Sequence, residues 1–349
     1  VTGRERIAFH IVTGFLGAGK TTLINRLLSA PELADALVVV NEWGDIGLDH
    51  LLYERLEGDA ILINSGCVCC ALRGDLIDAL HDVLRRRDSG ALPKFGRIVL
   101  ETTGLAEPAP ILHALIADPD LNSRLDLAGV TTLVDAVNGL STLTARPESA
   151  RQIALADRLV IAKSDLLPPL ERAQALATLR RALGGLNPTA PILDGAAAEF
   201  GPAEFLAEPA ARSVVDSGAG SGHTNRVRTF VFRSDEPVDR QAFTLFLSLV
   251  ASMLGPRLLR LKGLVALSDN PDAPVLVEGV QHVFHAPRSL AGWPDADHAT
   301  RIVIIVEGVA AREVEDLWAA LTRSPRIDAP DLAALTENPL APRAGGLLG

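Results

Sequence analysis

The first half of the chain alternates short, nearly continuous apolar runs with longer stretches of helical period. The runs Ala8–Thr13, Ala36–Asn41, Ala60–Asn64, Arg97–Glu101, Val130–Asp135 and Arg158–Ala162 are five or six residues long and rich in Val, Ile and Leu. Runs of that kind, rather than alternating ones, mark strands covered on both faces. Between them, Arg73–Arg87 and Pro108–Ala117 carry apolar residues at helical spacing. A βαβ alternation of this sort predicts an α/β unit with an open, mostly parallel sheet. The pattern changes near residue 207. Glu208–Ser213 and Asp216–Gly222 are rich in Pro, Ala, Gly and Ser, which reads as a linker over 207–225. Beyond it, Arg226–Arg233, Leu258–Leu267, Pro274–Val277, Gln281–Ala286 and Arg301–Val306 read as strands. Val238–Leu254 and Ala310–Leu321 read as helices. Five strands with two helices predict a smaller α+β domain over 226–328, with a ferredoxin-like arrangement as one candidate. Residues 329–349, rich in Pro, Ala and Gly, read as a loosely ordered tail.

Chemistry enters at the end of the first run. Gly14 to Thr21 read G-F-L-G-A-G-K-T, between a strand and the helical pattern Thr22–Leu28. That is the context a phosphate-binding loop requires. Gly14, Gly17, Ala18 and Gly19 would turn backbone N–H groups toward phosphates, with the helix N-terminus behind them. Lys20 would reach the outer phosphates, Thr21 would offer its hydroxyl to Mg²⁺, and Thr22 opens the helix. This places residues 1–206 in a P-loop NTPase domain. Ile98–Glu101 is followed by Thr102, Thr103 and Gly104. An acid at that strand end suits the Mg²⁺ water shell, and the Gly104 N–H suits the γ-phosphate. The bland alternative for Glu101 is a carboxylate capping the next turn. Ala162-Lys163-Ser164-Asp165 is similar to the N-K-x-D motif with which GTPases read guanine, with Ala162 where Asn is usual. Asp165 would accept from the guanine N–H groups, and its alternative is a helix cap.

The only three cysteines, Cys67, Cys69 and Cys70, lie within four residues, at the end of a strand and before a helix. With no distant cysteine to pair with, they are not a disulfide framework. Thiolates so clustered suit a transition metal, Zn²⁺ first and Co²⁺ second. Three thiols leave a tetrahedral site open for a ligand from elsewhere or for transfer. Redox pairing and inert burial are the alternatives. Asn41–Gly47 lies in the same region, and Glu42 or Asp45 would supply an oxygen ligand. The histidines His113, His223, His282, His285 and His298 are scattered, and a structural or surface role is expected for each.

Net charge of −10 argues against a protein that coats nucleic acid. No apolar signal segment is visible, and the longest apolar stretch, Ala242–Gly255, is too short for a bilayer and reads as a buried helix. A cytoplasmic location without membrane partners is expected.

The phosphate loop, N-E-W-G-D-I-G at 41–47, the G-C-V-C-C cluster, E-T-T-G-L-A-E-P at 101–108, Arg260-Leu-Lys-Gly263 and Trp293-Pro together resemble the CobW family of P-loop GTPases. The resemblance spans most of the chain. It implies GTP-driven metal handling: zinc delivery to a client metalloprotein, cobalt handling in cobalamin synthesis, or nitrile hydratase activation. It also implies that Cys67, Cys69 and Cys70 bind the metal. The chain departs from many members in lacking a histidine-rich loop near the domain junction, where only His223 stands. A monomer and a homodimer are both compatible with the sequence. The rival readings are a metal-independent P-loop kinase and a nucleotide-gated docking module.

Overall fold

A computed structural model describes residues 6–42, 60–64, 72–207 and 226–322. Seven strands form one sheet in the order β3-β2-β4-β1-β5-β6-β7. They are β1 (Ile7–Gly14), β2 (Ala36–Glu42), β3 (Ala60–Asn64), β4 (Arg97–Glu101), β5 (Leu125–Asp135), β6 (Arg158–Ala162) and β7 (Ile192–Asp194). All of their pairings are parallel. The expected mostly parallel sheet is thus wholly parallel, and it has one strand more than the apolar runs announce. The missed strand, β7, is only three residues long, and Pro191 and Gly195 flank it. Strand β5 also begins five residues before the expected Val130, because its first half pairs with β1 from Ile7 onward.

The central strand β1 is buried along almost its whole length, with Phe9, Ile11 and Val12 fully covered. It lies between β4 and β5, where the chain's excursions to either side of the sheet part. In open α/β sheets such a switch point opens a crevice at the carboxyl ends of the strands. The phosphate-loop sequence leaves β1 at that place.

The second sheet holds β8 (Val227–Ser234), β9 (Leu258–Leu267), β10 (Asn270–Val280), β11 (Val283–Phe284), β12 (Arg288–Ser289) and β13 (Thr300–Glu307), in the order β11-β10-β9-β13-β8 with β12 beside β10. Its pairings are antiparallel. The helix Arg240–Leu254 connects β8 to β9 across β13, as a split βαβ does, but the second helix, Ala311–Thr322, follows the last strand. The domain is therefore α+β, with the split unit of a ferredoxin-like fold and a different placement of its second helix. The expected strand Gln281–Ala286 shrinks to two residues, because Gln281 sits in a left-handed turn at φ 53°. The helix Arg240–Leu254 is not buried all round. Phe243, Phe246, Val250 and Leu254 face the core, while Leu245 and Met253 are exposed.

All ten residues of β9 are buried. One face of its sheet packs Leu261, Val265, Ile302 and Ile304 against the helices Arg240–Leu254 and Ala311–Thr322. The other face packs Leu259, Val303 and Ile305 against Ile153, Ala154, Leu179 and Leu183 of the first domain. This second sheet is covered on both sides, which explains why β9 reads as an almost unbroken apolar run. Among the described residues no helix is long and apolar enough to cross a membrane.

Candidate functional site

The loop Gly14–Gly19 closes the end of β1 and opens the helix Lys20–Leu28. Its backbone takes conformations that a side chain resists: Gly14, Gly17 and Gly19 have φ of 143°, 73° and 95°. At Gly14 the constraint is also steric, since a Cβ there would lie 2.5 Å from the Leu133 carbonyl oxygen. The Lys20 Nζ donates to the Gly14 carbonyl at 3.0 Å, which folds the side chain back over the loop. The Ala18 N–H donates to the Phe15 carbonyl at 3.0 Å, tightening the turn. Thr22 is exposed beside it.

Two strands intervene in sequence, but next to β1 in space β4 delivers Glu101. The carboxylate is 5% exposed and its Oε1 accepts from the Thr21 hydroxyl at 2.9 Å. The hydroxyl and the carboxylate proposed for Mg²⁺ thus stand together, although 80 positions separate them. Behind it, the Thr102 hydroxyl donates to Thr13 Oγ1 at 2.8 Å, and the Thr102 N–H donates to the Val12 carbonyl at 3.0 Å, which pins the two strand ends. Gly104 is buried against the phosphate loop itself. A Cβ on it would lie 2.5 Å from the Leu16 nitrogen, so any side chain would push the loop away.

The third strand end, β6, carries Ala162, Lys163 and Asp165. Lys163 adopts a left-handed φ of 59° and its Nζ donates to Asp135 Oδ2 at 2.7 Å. Asp135 ends β5 beside Ala162, and its Oδ1 accepts the N–H groups of Val137 and Asn138. Partial burial pushes its carboxyl upward, but the Lys163 bond and those N–H groups outweigh it and hold the group below its usual range. Ser164 donates to Asp194 Oδ1 at 2.6 Å, and that oxygen also accepts the Ala196 N–H. Asp165 is exposed in the 3₁₀ turn Ser164–Leu166, open to a ligand and engaged through its carbonyl by Arg172. Asp135 and Asp194 are absent from the sequence reading. Each is an acid at the carboxyl end of a parallel strand, and for Asp135 that position was itself legible.

Cys67, Cys69, Cys70 and Asp45 lie outside the described residues, as does the Glu42 side chain. Asn64, three residues before Cys67, ends β3, at the sheet edge that carries the phosphate loop and Glu101. Among the described residues no group of three or more His, Cys, Asp or Glu side chains is arranged for a metal. His113 donates its Nε2–H to the Val280 carbonyl oxygen at 3.0 Å, a structural contact, and its ring meets His282 at 5.1 Å.

The CobW/HypB/UreG nucleotide-binding domain matches residues 8–194, more than half of the chain. The chain belongs to the CobW family of GTPases. The cobalamin synthesis protein CobW C-terminal domain matches residues 227–322, so both sheets fall within the family pattern. The zinc chaperone YjiA of Escherichia coli is 28% identical over 327 residues, covering 91% of this chain and 99% of that protein. The zinc chaperone CobW of Pseudomonas aeruginosa is 27% identical over 339 residues, covering 86% and 87%. The crystal structure of Zn(II)-bound YjiA GTPase from Escherichia coli matches with a TM-score of 0.69 and 26% identity, over 91% of this chain and 99% of that one. The P-loop domain followed by an antiparallel sheet thus agrees with both family domains over the residues they match.

Proposed function

We propose that this CobW-family GTPase is a cytoplasmic zinc carrier, in which GTP binding and hydrolysis at the β1 loop gate a thiolate site and deliver the metal to a client protein. The observation that carries the reading is the shared sheet edge. The phosphate loop, Glu101 and the strand that leads into Cys67-Val-Cys69-Cys70 all end there. The similarity to Zn(II)-bound YjiA over nearly the full length supports zinc as the cargo. Zn²⁺ accepts tetrahedral thiolate sets, and three thiolates with a place left open, or with Glu42 as the fourth ligand, suit transfer. Co²⁺ takes the same donors with lower affinity.

Thr21 and Glu101 have the oxygen chemistry that Mg²⁺ prefers and would hold it. When bound, Mg²⁺ neutralises charge on the outer phosphates. Lys20 stabilises the charge that develops on the transferred phosphoryl group. The Gly14, Gly17, Ala18 and Gly19 backbone cradles the phosphates, and Gly104 faces the terminal one. Lys163 and Asp165 border the base. Residues 1–206 act as the GTPase domain and 226–328 as the second domain, with 207–225 between them.

The test is a Co²⁺ titration of reduced, metal-free protein followed by Zn²⁺ competition, with Mg²⁺ plus GDP or a non-hydrolysable GTP analogue. A thiolate-to-cobalt absorption band is expected, with an affinity that depends on the nucleotide and with loss of the band in Cys67→Ser/Cys69→Ser/Cys70→Ser. GTP hydrolysis without a band in any state would sink the carrier reading and turn the search to organic substrates or protein partners. A ligand that binds both states equally moves neither, so equal affinities would sink the gating.

A further inference from the structure

The helix Pro147–Leu155 stands between the phosphate-loop side of the first domain and the second sheet, and two adjacent residues on it grip the same short segment. Gln152 is 1% exposed. Its Nε2 donates to the Gly104 carbonyl at 3.1 Å and to the Ala106 carbonyl at 2.9 Å. Two carbonyl acceptors leave no doubt about which end of the amide faces them. The Oε1 is then buried without a hydrogen-bond partner. Arg151 donates to Glu107, which closes the same segment, and forms a two-pronged pair with Glu307 at 2.8 and 3.1 Å. Glu307 ends β13 in the second sheet. The far end of the helix is tied to that sheet as well, because Arg260 donates to the Leu155 carbonyl at 2.6 Å and pairs with Asp157.

These contacts make a continuous path: Leu16 in the phosphate loop, Gly104 against it, Gln152 and Arg151 on one helix, and Glu307 in the second sheet. We propose that Gln152 and Arg151 are positioning residues that make the second domain respond to the terminal phosphate of the nucleotide. The proposal rests on the reading of Gly104 as the residue that faces that phosphate. A shift of Gly104 strains both Gln152 bonds, and a shift of Glu107 pulls on the arginine that holds Glu307. The Gln152 Oε1, buried without a hydrogen-bond partner, is an acceptor that a second arrangement of the segment would satisfy, which is what coupling between two states needs.

Hydrogen exchange on the full chain tests this, with GDP exchanged for a non-hydrolysable GTP analogue and no transition metal present. In the unsubstituted protein the exchange of peptides from 300–307 should change about fivefold or more between the two nucleotides, the lower end of ordinary coupling between sites. Arg151→Met should abolish that change while leaving the nucleotide-dependent change over 101–107 in place. Glu107→Gln and Glu307→Gln cut the path on either side of Arg151 and should do the same, which guards against one variant that folds poorly. Gln152→Met should narrow the ratio of GTP-analogue to GDP affinity, a readout that a general packing role would not move. Persistence of the full 300–307 change in Arg151→Met, or its absence in the unsubstituted protein, overturns the coupling. Failure of either nucleotide to protect residues 14–22 overturns the nucleotide reading itself, and the same experiment separates the two failures.

Discussion

At the carboxyl edge of the parallel sheet, Gly14, Gly19, Lys20 and Thr21 lie within eight consecutive positions, and Glu101 is brought to them from β4. At the seam between the two domains the polar groups come from far apart. Asp157 meets Arg260 and Lys262, Lys262 meets Glu278 at 2.9 Å, and Arg151 joins Glu107 to Glu307. The nucleotide edge is a backbone device: phosphates are bound by N–H groups that a contiguous loop can aim. The seam is a side-chain device, in which the buried charges of β9 are satisfied by Asp157, more than a hundred positions away, and by Glu278 on the neighbouring strand. Burial pushes the Asp157 carboxyl upward, yet the charges of Arg260 and Lys262 outweigh it and hold the group below the usual carboxylate range. The lesson is that the two edges should fail differently, one in chemistry and one in stability.

The sharpest break in that comparison is Asp157→Asn. It keeps the shape, leaves Arg260 buried without its counter-charge and Lys262 with Glu278 alone, and breaking a buried pair in this way typically costs about 3–5 kcal/mol. Urea unfolding should show that loss, with nucleotide affinity of the remaining folded protein little changed. An effect below about 1 kcal/mol would mean that solvent or Glu278 replaces Asp157. Lys20→Ala should do the reverse. Single-turnover GTP hydrolysis should fall by about a hundredfold to a thousandfold, as for removal of one preorganised charge-stabilising donor. The unfolding midpoint should stay near that of the unsubstituted protein. A variant that hydrolyses GTP normally would remove Lys20 from the catalytic role.

A smaller and pH-dependent effect sharpens the contrast in the middle of β1. His10 stacks on Phe205 with ring centroids 5.3 Å apart. Burial first, then the charges of Arg158 and Arg97, lower its pKa to about 4. The unfolded chain takes up that proton near the ordinary value, so the unfolded state binds more protons between pH 6.5 and 4. Stability is therefore full above about pH 6.5 and falls as the pH drops toward 4, by about 3 kcal/mol for this group. His10→Gln should flatten the slope of stability between pH 7 and 4.5 in urea unfolding. Equal slopes in the two proteins would show that His10 is not held neutral by the fold.

Much of the fold was legible because burial on both faces leaves a simple signature. The runs at Ala36, Ala60, Arg97 and Arg158 became strands with nearly the expected ends, and the helix Pro108–Ala117 matched its range. Legibility failed where a partner strand rather than local composition decides. Ile192–Asp194 is a strand only because β6 lies beside it, and the chain turns at Gln281 although its flanks are apolar. The site divides in the same way. The loop glycines, Lys20, Thr21 and Glu101 could be named from spacing. Asp135, Asp194 and Gln152 could not be assigned roles, because their partners Lys163, Ser164 and Gly104 are remote or sit on another element.

By itself the sequence determined the parallel α/β unit, the phosphate loop and the cysteine cluster, since each depends on residue types a few positions apart and on local periodicity. Only the tertiary structure decided that Thr21 touches Glu101, that Gly104 leans on Leu16, and that Arg260 and Lys262 find Asp157. The physical reason is that a strand run records how deeply it is buried but not which strand lies beside it. A charged residue in such a run announces that it has a partner, and the packing of the two domains chooses which one.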